Sequence, residues 1–128
     1  MIAIDYIETE TAILELREGY LYIAFKEDVI VELEHVIANK EAREKIQQGK
    51  KMLVLGDIRK MWHISKAAQD YLASKEVTNL NIAMAILTSS LMTVLLANFF
   101  IKFKKPATPT KMFNNEEKAI KWLLSFKH

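Results

Sequence analysis

The sequence predicts an α/β fold: a mixed, largely parallel sheet of about five strands, opened by an N-terminal hairpin and flanked by about four helices. Three observations predict it. The apolar runs Met52–Leu55 and Ile82–Leu87 lack the alternation of a one-faced strand, as central strands covered on both faces do. Helix caps or helical spacing follow each run, and strands alternating with helices imply parallel pairing. Ahead of them, two β-branched and aromatic segments are joined by Glu18-Gly19, a hairpin turn signal.

The hairpin is expected over 9–16 (TETAILEL) and 20–25 (YLYIAF), with Leu14, Leu16, Leu21 and Ile23 alternating toward one buried face. The run Val29-Ile30-Val31 then leads into a helix from about Leu33 to Gln48. Leu33, Val36, Ile37 and Ile46 form its apolar side, KEAREK turns to water, and Gly49 stops it. After the strand at 52–55, Ser65 is placed to cap a helix through about Ser74, with Ala68, Tyr71 and Leu72 inward. The second buried strand, 82–87, is followed by Ser89-Ser90 as the cap of an apolar helix from Leu91 to about Phe103. Pro106 and Pro109 lie beyond that helix. Lys111-Met112-Phe113 reads as an edge strand, because Pro109 at its entrance cannot donate to a ladder. Asn114 with Glu117 three residues on resembles a capping box for a last helix, whose core stripe is Ala119, Trp122, Leu123 and Phe126.

Composition narrows the function classes. At 128 residues, 51% hydrophobic and 27% charged, the chain reads as one globular domain spanning 1–128. It has no Cys, which removes disulfides, thiolate nucleophiles and thiolate metal ligands. The acidic start MIAIDYIETETAI has no basic leader pattern, so a reducing, cytoplasmic compartment is expected. The net charge of +2 conceals a gradient: residues 1–34 carry nine acids and two bases, residues 102–128 two acids and seven bases. That basic end lacks an Arg-rich helix or interleaved aromatics, which argues against nucleic acid.

Between Glu76 and Lys102 lie 25 residues without a charge, long enough to span a bilayer. Asn79, Asn81, Thr93 and Asn98 punctuate the run, and Thr88-Ser89-Ser90 divides it into a strand-length and a helix-length piece. The reading is therefore a strand and a helix. That helix remains unusual. Leu91, Leu95, Leu96, Phe99, Phe100 and Phe103, with their apolar neighbours, cover nearly its whole circumference, where packing on a sheet needs only a stripe. Besides deep burial, a homodimer contact, a bilayer surface or an apolar ligand would account for the far face.

The stretches GDIRKMWHISKAAQDYL, IAMAILTSS and the C-terminal pattern of Asn98-Phe99-Phe100, Pro106, Pro109, Phe113, Ala119 and Trp122-Leu123 resemble the SpoIIAA-like, or STAS-type, domains, over roughly residues 8–126. In particular they are similar to a small stand-alone bacterial branch with no assigned function. The resemblance implies a mixed sheet flanked by helices, with a functional surface in the loop after the strand ending near Asp57. Regulatory members of that family carry Asp-Ser-Ser-Gly at the start of the next helix, and a kinase phosphorylates one of its serines. Here the stretch is Ile64-Ser65-Lys66-Ala67. Lys66 stands at the phosphorylated position and Ser65 at the motif's Asp, which argues against the phosphorylation switch. Ser65 reads instead as a plain helix cap.

Other chemistry is sparse. His35, His63 and His128 are not arranged at metal-ligand spacing, and no HExxH, EF-hand or Gly-rich phosphate loop occurs. Ser65, His63 and Asp57 share one loop, but no Gly-x-Ser-x-Gly elbow presents the Ser as a nucleophile. Asp57 and Arg59 are spaced to hold each other. Trp62 is either a lid on the core or a recognition anchor. Taken together, a non-enzymatic binding or regulatory module without metal or cofactor is expected. It would be a homodimer through the 91–103 helix, meeting an unidentified protein partner through Asp57, Arg59, Trp62, His63 and Ser65. The alternative is peripheral membrane or lipid binding by the same helix with Lys102, Lys104 and Lys105.

Overall fold

A computed structural model describes residues 3–104 and 106–127, without the side chains of Phe99, Phe100, Lys102, Phe103 and Lys104. Strands β1 (Tyr6–Glu8), β2 (Ala12–Arg17) and β3 (Tyr20–Phe25) form an antiparallel meander, and β5 (Met52–Asp57), β7 (Asn81–Leu87) and β8 (Thr110–Phe113) continue it in parallel. The six-stranded order is β1-β2-β3-β5-β7-β8. From β3 onward each crossover moves to the next position in the same direction, so the order never reverses to open a switch-point crevice.

The hairpin closes as its sequence dictates. Arg17 pairs with Tyr20 across Glu18-Gly19, and Gly19 takes φ +92, a conformation L side chains avoid. The strand expected over 9–16 begins only at Ala12, and a separate strand, β1, precedes it at Tyr6–Glu8. Thr9 Oγ1 accepts the Ala12 N–H at 3.1 Å, and the Thr9 N–H donates to the Ala12 carbonyl at 2.8 Å. This side-chain turn joins β1 to β2, and β1, at three residues, is too short to show in the sequence.

Both faces of the sheet are covered. On one, α1 (Leu33–Gln47) sets Ala42 and Ile46 against Leu14, Leu21, Ile23 and Val54. On the other, α5 (Glu116–Leu124) sets Ala119 and Leu123 against Tyr20, Tyr22, Leu53, Leu55 and Ala85. Tyr20 and Tyr22 are thus buried in the core along with Leu14 and Leu21, while Leu16, expected inside, is 39% exposed.

Helix α1 departs furthest from expectation. Leu33 and Ile37 are exposed, whereas Asn39, Arg43 and Gln47 are buried, Arg43 within the KEAREK stretch assigned to water. Arg43 donates from Nε to Gln47 Oε1 at 2.8 Å and from Nη2 to Asn81 Oδ1, and Gln47 Nε2 donates to the carbonyls of Lys50 and Leu80. The side chains span the base of β5 and β7. The first residue in left-handed backbone after α1 is Gln48, one before the predicted Gly49.

The Val29–Val31 run does not simply lead into α1. Ile30 and Val31 form β4, which pairs in parallel with β6 (His63–Ile64) beside the main sheet. Helix α2 (Lys66–Leu72) and the short α3 (Lys75–Thr78) lead to β7. Helix α4 (Leu91–Lys104) packs against the edge strand β8. Asn98 fixes it there. Its amide donates to the Met112 carbonyl at 2.9 Å and accepts the Met112 N–H at 2.8 Å, filling the outward edge of β8 as another strand would. The N-cap of α5 is Asn115, one residue after the predicted Asn114, with Oδ1 accepting from Lys118 at 2.9 Å.

Candidate functional site

Two surfaces hold the residues singled out from sequence. The first follows β5. Parallel pairing sets Ala24 of β3 beside Asp57, bringing the Tyr22 hydroxyl 2.7 Å from Asp57 Oδ2. Arg59 grips the same carboxylate twice, Nε at 3.0 Å and Nη2 at 2.7 Å, and its own N–H donates to Oδ1 at 3.1 Å. Nη2 also reaches Glu116, in the first turn of α5, at 3.3 Å. Burial alone would push the Asp57 carboxyl up, but the Arg59 and Tyr22 hydrogen bonds outweigh it and hold the group below the usual range. Burial, together with the hydrogen bond to Asp57, pushes the Tyr22 phenol up to about 12. The Asp57 bond, ahead of the opposing desolvation, raises Arg59. The cluster ties β3, β5 and the start of α5 together. Sequence spacing suggested Asp57–Arg59; Tyr22 and Glu116 carried no signal, because register alone brings them in.

Beyond Arg59 the loop is zipped onto the segment before α1. The Asp28 N–H donates to the Lys60 carbonyl, Trp62 to Val29 and Ser65 to Val31, all at 2.9–3.0 Å. Fixed backbone and free side chains result. Trp62 is 74% exposed, so it is no lid on the core, and His63 is exposed next to Ile30, its partner in the β4–β6 pair. Ser65 caps α2 as predicted, Oγ accepting the Ala68 N–H at 3.1 Å. No hydrogen bond joins His63 to Asp57 or Ser65 among the described residues, and Asp57 already serves Arg59 and Tyr22. His35 instead caps α1. Nδ1 accepts the Glu32 N–H at 2.9 Å and Nε2 lies 2.6 Å from Glu10. Among the described residues no group of three or more His, Asp and Glu is placed to hold a metal ion.

The second surface is α4. Ser90 Oγ accepts the Thr93 N–H at 3.2 Å at its start. Leu91, Met92, Leu95 and Leu96 are each more than half exposed. Leu91 with Leu95, and Met92 with Leu96, recur one turn apart and share one side of the helix, with Asn98 of the clamp at its margin, three residues on from Leu95. Of the residues singled out here, the side chains of Phe99, Phe100 and Phe103, and those of Lys102, Lys104 and Lys105, lie outside the described residues. No described helix is long and apolar enough to cross a membrane.

No curated protein matches the chain in sequence. Among solved structures it is similar to an uncharacterized protein from Shewanella loihica PV-4, of the DUF3478 family, with a SpoIIAA-like fold. The TM-score is 0.63 at 20% identity, over 88% of this chain and 91% of that one. At that identity the likeness speaks for the fold alone. The model of a domain of unknown function, DUF7793, matches residues 14–127, nearly the whole chain. The chain therefore belongs to the DUF7793 family, a domain of unknown function, and carries a SpoIIAA-like fold.

Proposed function

We propose that this domain is a non-catalytic binding module that acts through protein contacts, associating with a second copy through the outer face of α4. The observation that carries the reading is that face: Leu91, Met92, Leu95 and Leu96 at 58%, 64%, 59% and 54% exposure. Contiguous apolar surface of this kind marks interaction sites more often than it is tolerated on a free monomer. The loop after β5 supplies the second contact. Its backbone is pinned by four hydrogen bonds to residues 28–31, so Trp62, with Arg59 and His63 in the same loop, meets a partner at little entropic cost. A non-catalytic role is supported by the groups that would otherwise react: the Ser65 hydroxyl is engaged as a cap and the Asp57 carboxylate is doubly held.

Sedimentation over a range of concentrations tests the reading. Association that Leu95→Lys abolishes, with the circular dichroism spectrum unchanged, is the expected result. A chain that stays monomeric at every concentration, yet co-sediments with anionic vesicles in a salt-sensitive way, would transfer α4 to a membrane role.

A further inference from the structure

A cleft of about 520 Å³ opens where the β2–β3 turn, the first residues of β5 and β7, and the end of α5 meet. Its size is that of a small-molecule site, ~300–1,000 Å³. It lies at the opposite ends of β3 and β5 from the Asp57 loop, since Met52 and Leu53 begin β5 and Asp57 ends it.

The walls are built by local chemistry. Gly19 packs so closely on the last turn of α5 that a Cβ there would come within 3.0 Å of Leu124 Cδ2. Across from it, β7 carries a bulge: Asn81 pairs with Met52 and Ala83 with Leu53, leaving Ile82 the extra residue. Asn81 is buried and accepts from Arg43 of α1. Ile82, freed from the ladder, stands 42% exposed in the cleft. Bulges re-aim a side chain in this way. With Leu16, Met52 and Phe126, Ile82 makes an apolar lining.

The charged lining is of one sign. Among the described residues Arg17, Lys51 and Lys127 line the cleft and no acid side chain does. Arg17 is already engaged, its Nε 2.8 Å from Glu15 and its guanidinium 3.7 Å above the Tyr22 ring. Lys51 and Lys127 form no ion pair among the described residues. We infer that this cleft binds a small amphipathic anion, a monocarboxylate with an aliphatic or aromatic body. The body would lie on Ile82, Met52 and Phe126, and the carboxylate at the Lys51 and Lys127 ammonium groups. The apolar floor disfavours a polyanion such as a nucleotide, whose further charges would be desolvated without partners.

A methyl NMR titration of the full chain with octanoate and with 3-phenylpropionate tests this, with octanol as the uncharged control. Saturable shifts centred on the Ile82 and Met52 methyls are expected, with octanol binding more weakly. In the Lys51→Glu/Lys127→Glu variant carboxylate binding should weaken about tenfold, the effect of losing two screened ion pairs, while octanol binding stays the same. Both substitutions are at exposed positions, and unshifted Leu14 and Val54 methyls report an intact core. No saturable shift up to the solubility limit, shifts centred on Leu91 and Leu95 of α4, or a variant that binds carboxylate as well as the parent would each overturn the assignment.

Discussion

Helices α1 and α4 invert what their compositions suggest. Helix α1, LEHVIANKEAREKIQ, is mostly polar, yet it buries Asn39, Arg43 and Gln47 together with Val36, Ala42 and Ile46. Helix α4, LMTVLLANFFIKFK, is mostly apolar, yet it presents four large apolar side chains to the outside. Position in the sheet decides both. Helix α1 lies over β2, β3 and β5 in the middle of the sheet, where even its polar flank is enclosed and must find partners. Helix α4 lies on β8, the last strand, and an edge strand covers only one side of a helix. Hydropathy reports what a side chain prefers; topology decides how many neighbours it can reach.

The comparison can be broken most directly at Ile46. Truncation to Ala should cost about 2–4 kcal/mol in chemical denaturation, from lost burial plus the cavity left behind; a cost below about 1 kcal/mol would mean that α1 is not the principal cover of this face. Arg43→Met comes next, at about 1–3 kcal/mol. Burial already pushes this guanidinium down to about 10, so removing the charge helps. Stranding the acceptors on Gln47 and Asn81 outweighs that gain. Should Arg43→Met instead stabilise the protein, the polar base of α1 is a burden rather than a lock.

Two smaller effects sharpen the contrast at helix ends and edges. Ser65→Ala should cost about 1 kcal/mol, the worth of an N-cap, with no change in association. Asn98→Ala should speed amide exchange at Met112 and through α4 while leaving Val54 and Leu55 protected, because the clamp holds the helix to the edge and not to the core. Smallest of all in stability is Leu95→Lys, within about 0.5 kcal/mol at an exposed position, although the same change is the one expected to abolish association. Acid adds a separate probe at the Asp57 cluster. With its folded pKa depressed, Asp57 contributes stability that is present above its unfolded value of about 4 and lost as pH falls through the folded value. Urea midpoints in the parent should therefore drop below pH 4, and Asp57→Asn should flatten that limb.

Much of this protein is legible in the sequence because local chemistry determines it. The Glu18-Gly19 turn, the two unalternated central strands, the Ser65 cap and the edge position of β8 follow from backbone conformations, donor counts and periodicities that a few neighbouring residues set. Capping and turn effects act within three or four residues, so they are readable without the fold. What the fold alone decided are contacts across thirty or more residues. Tyr22 reaches Asp57 because β3 and β5 pair in one register. Arg43 reaches Asn81 because a bulge turns that side chain toward α1. Trp62 is exposed because the loop backbone is zipped to residues 28–31. Among the Asp57–Ser65 residues, only the Asp57–Arg59 pair and the Ser65 cap were visible beforehand, being two- and three-residue interactions. The exposed face of α4 depended on which strand it met, and strand order is a property of the whole chain, set by the balance of all its burials and by no single stretch.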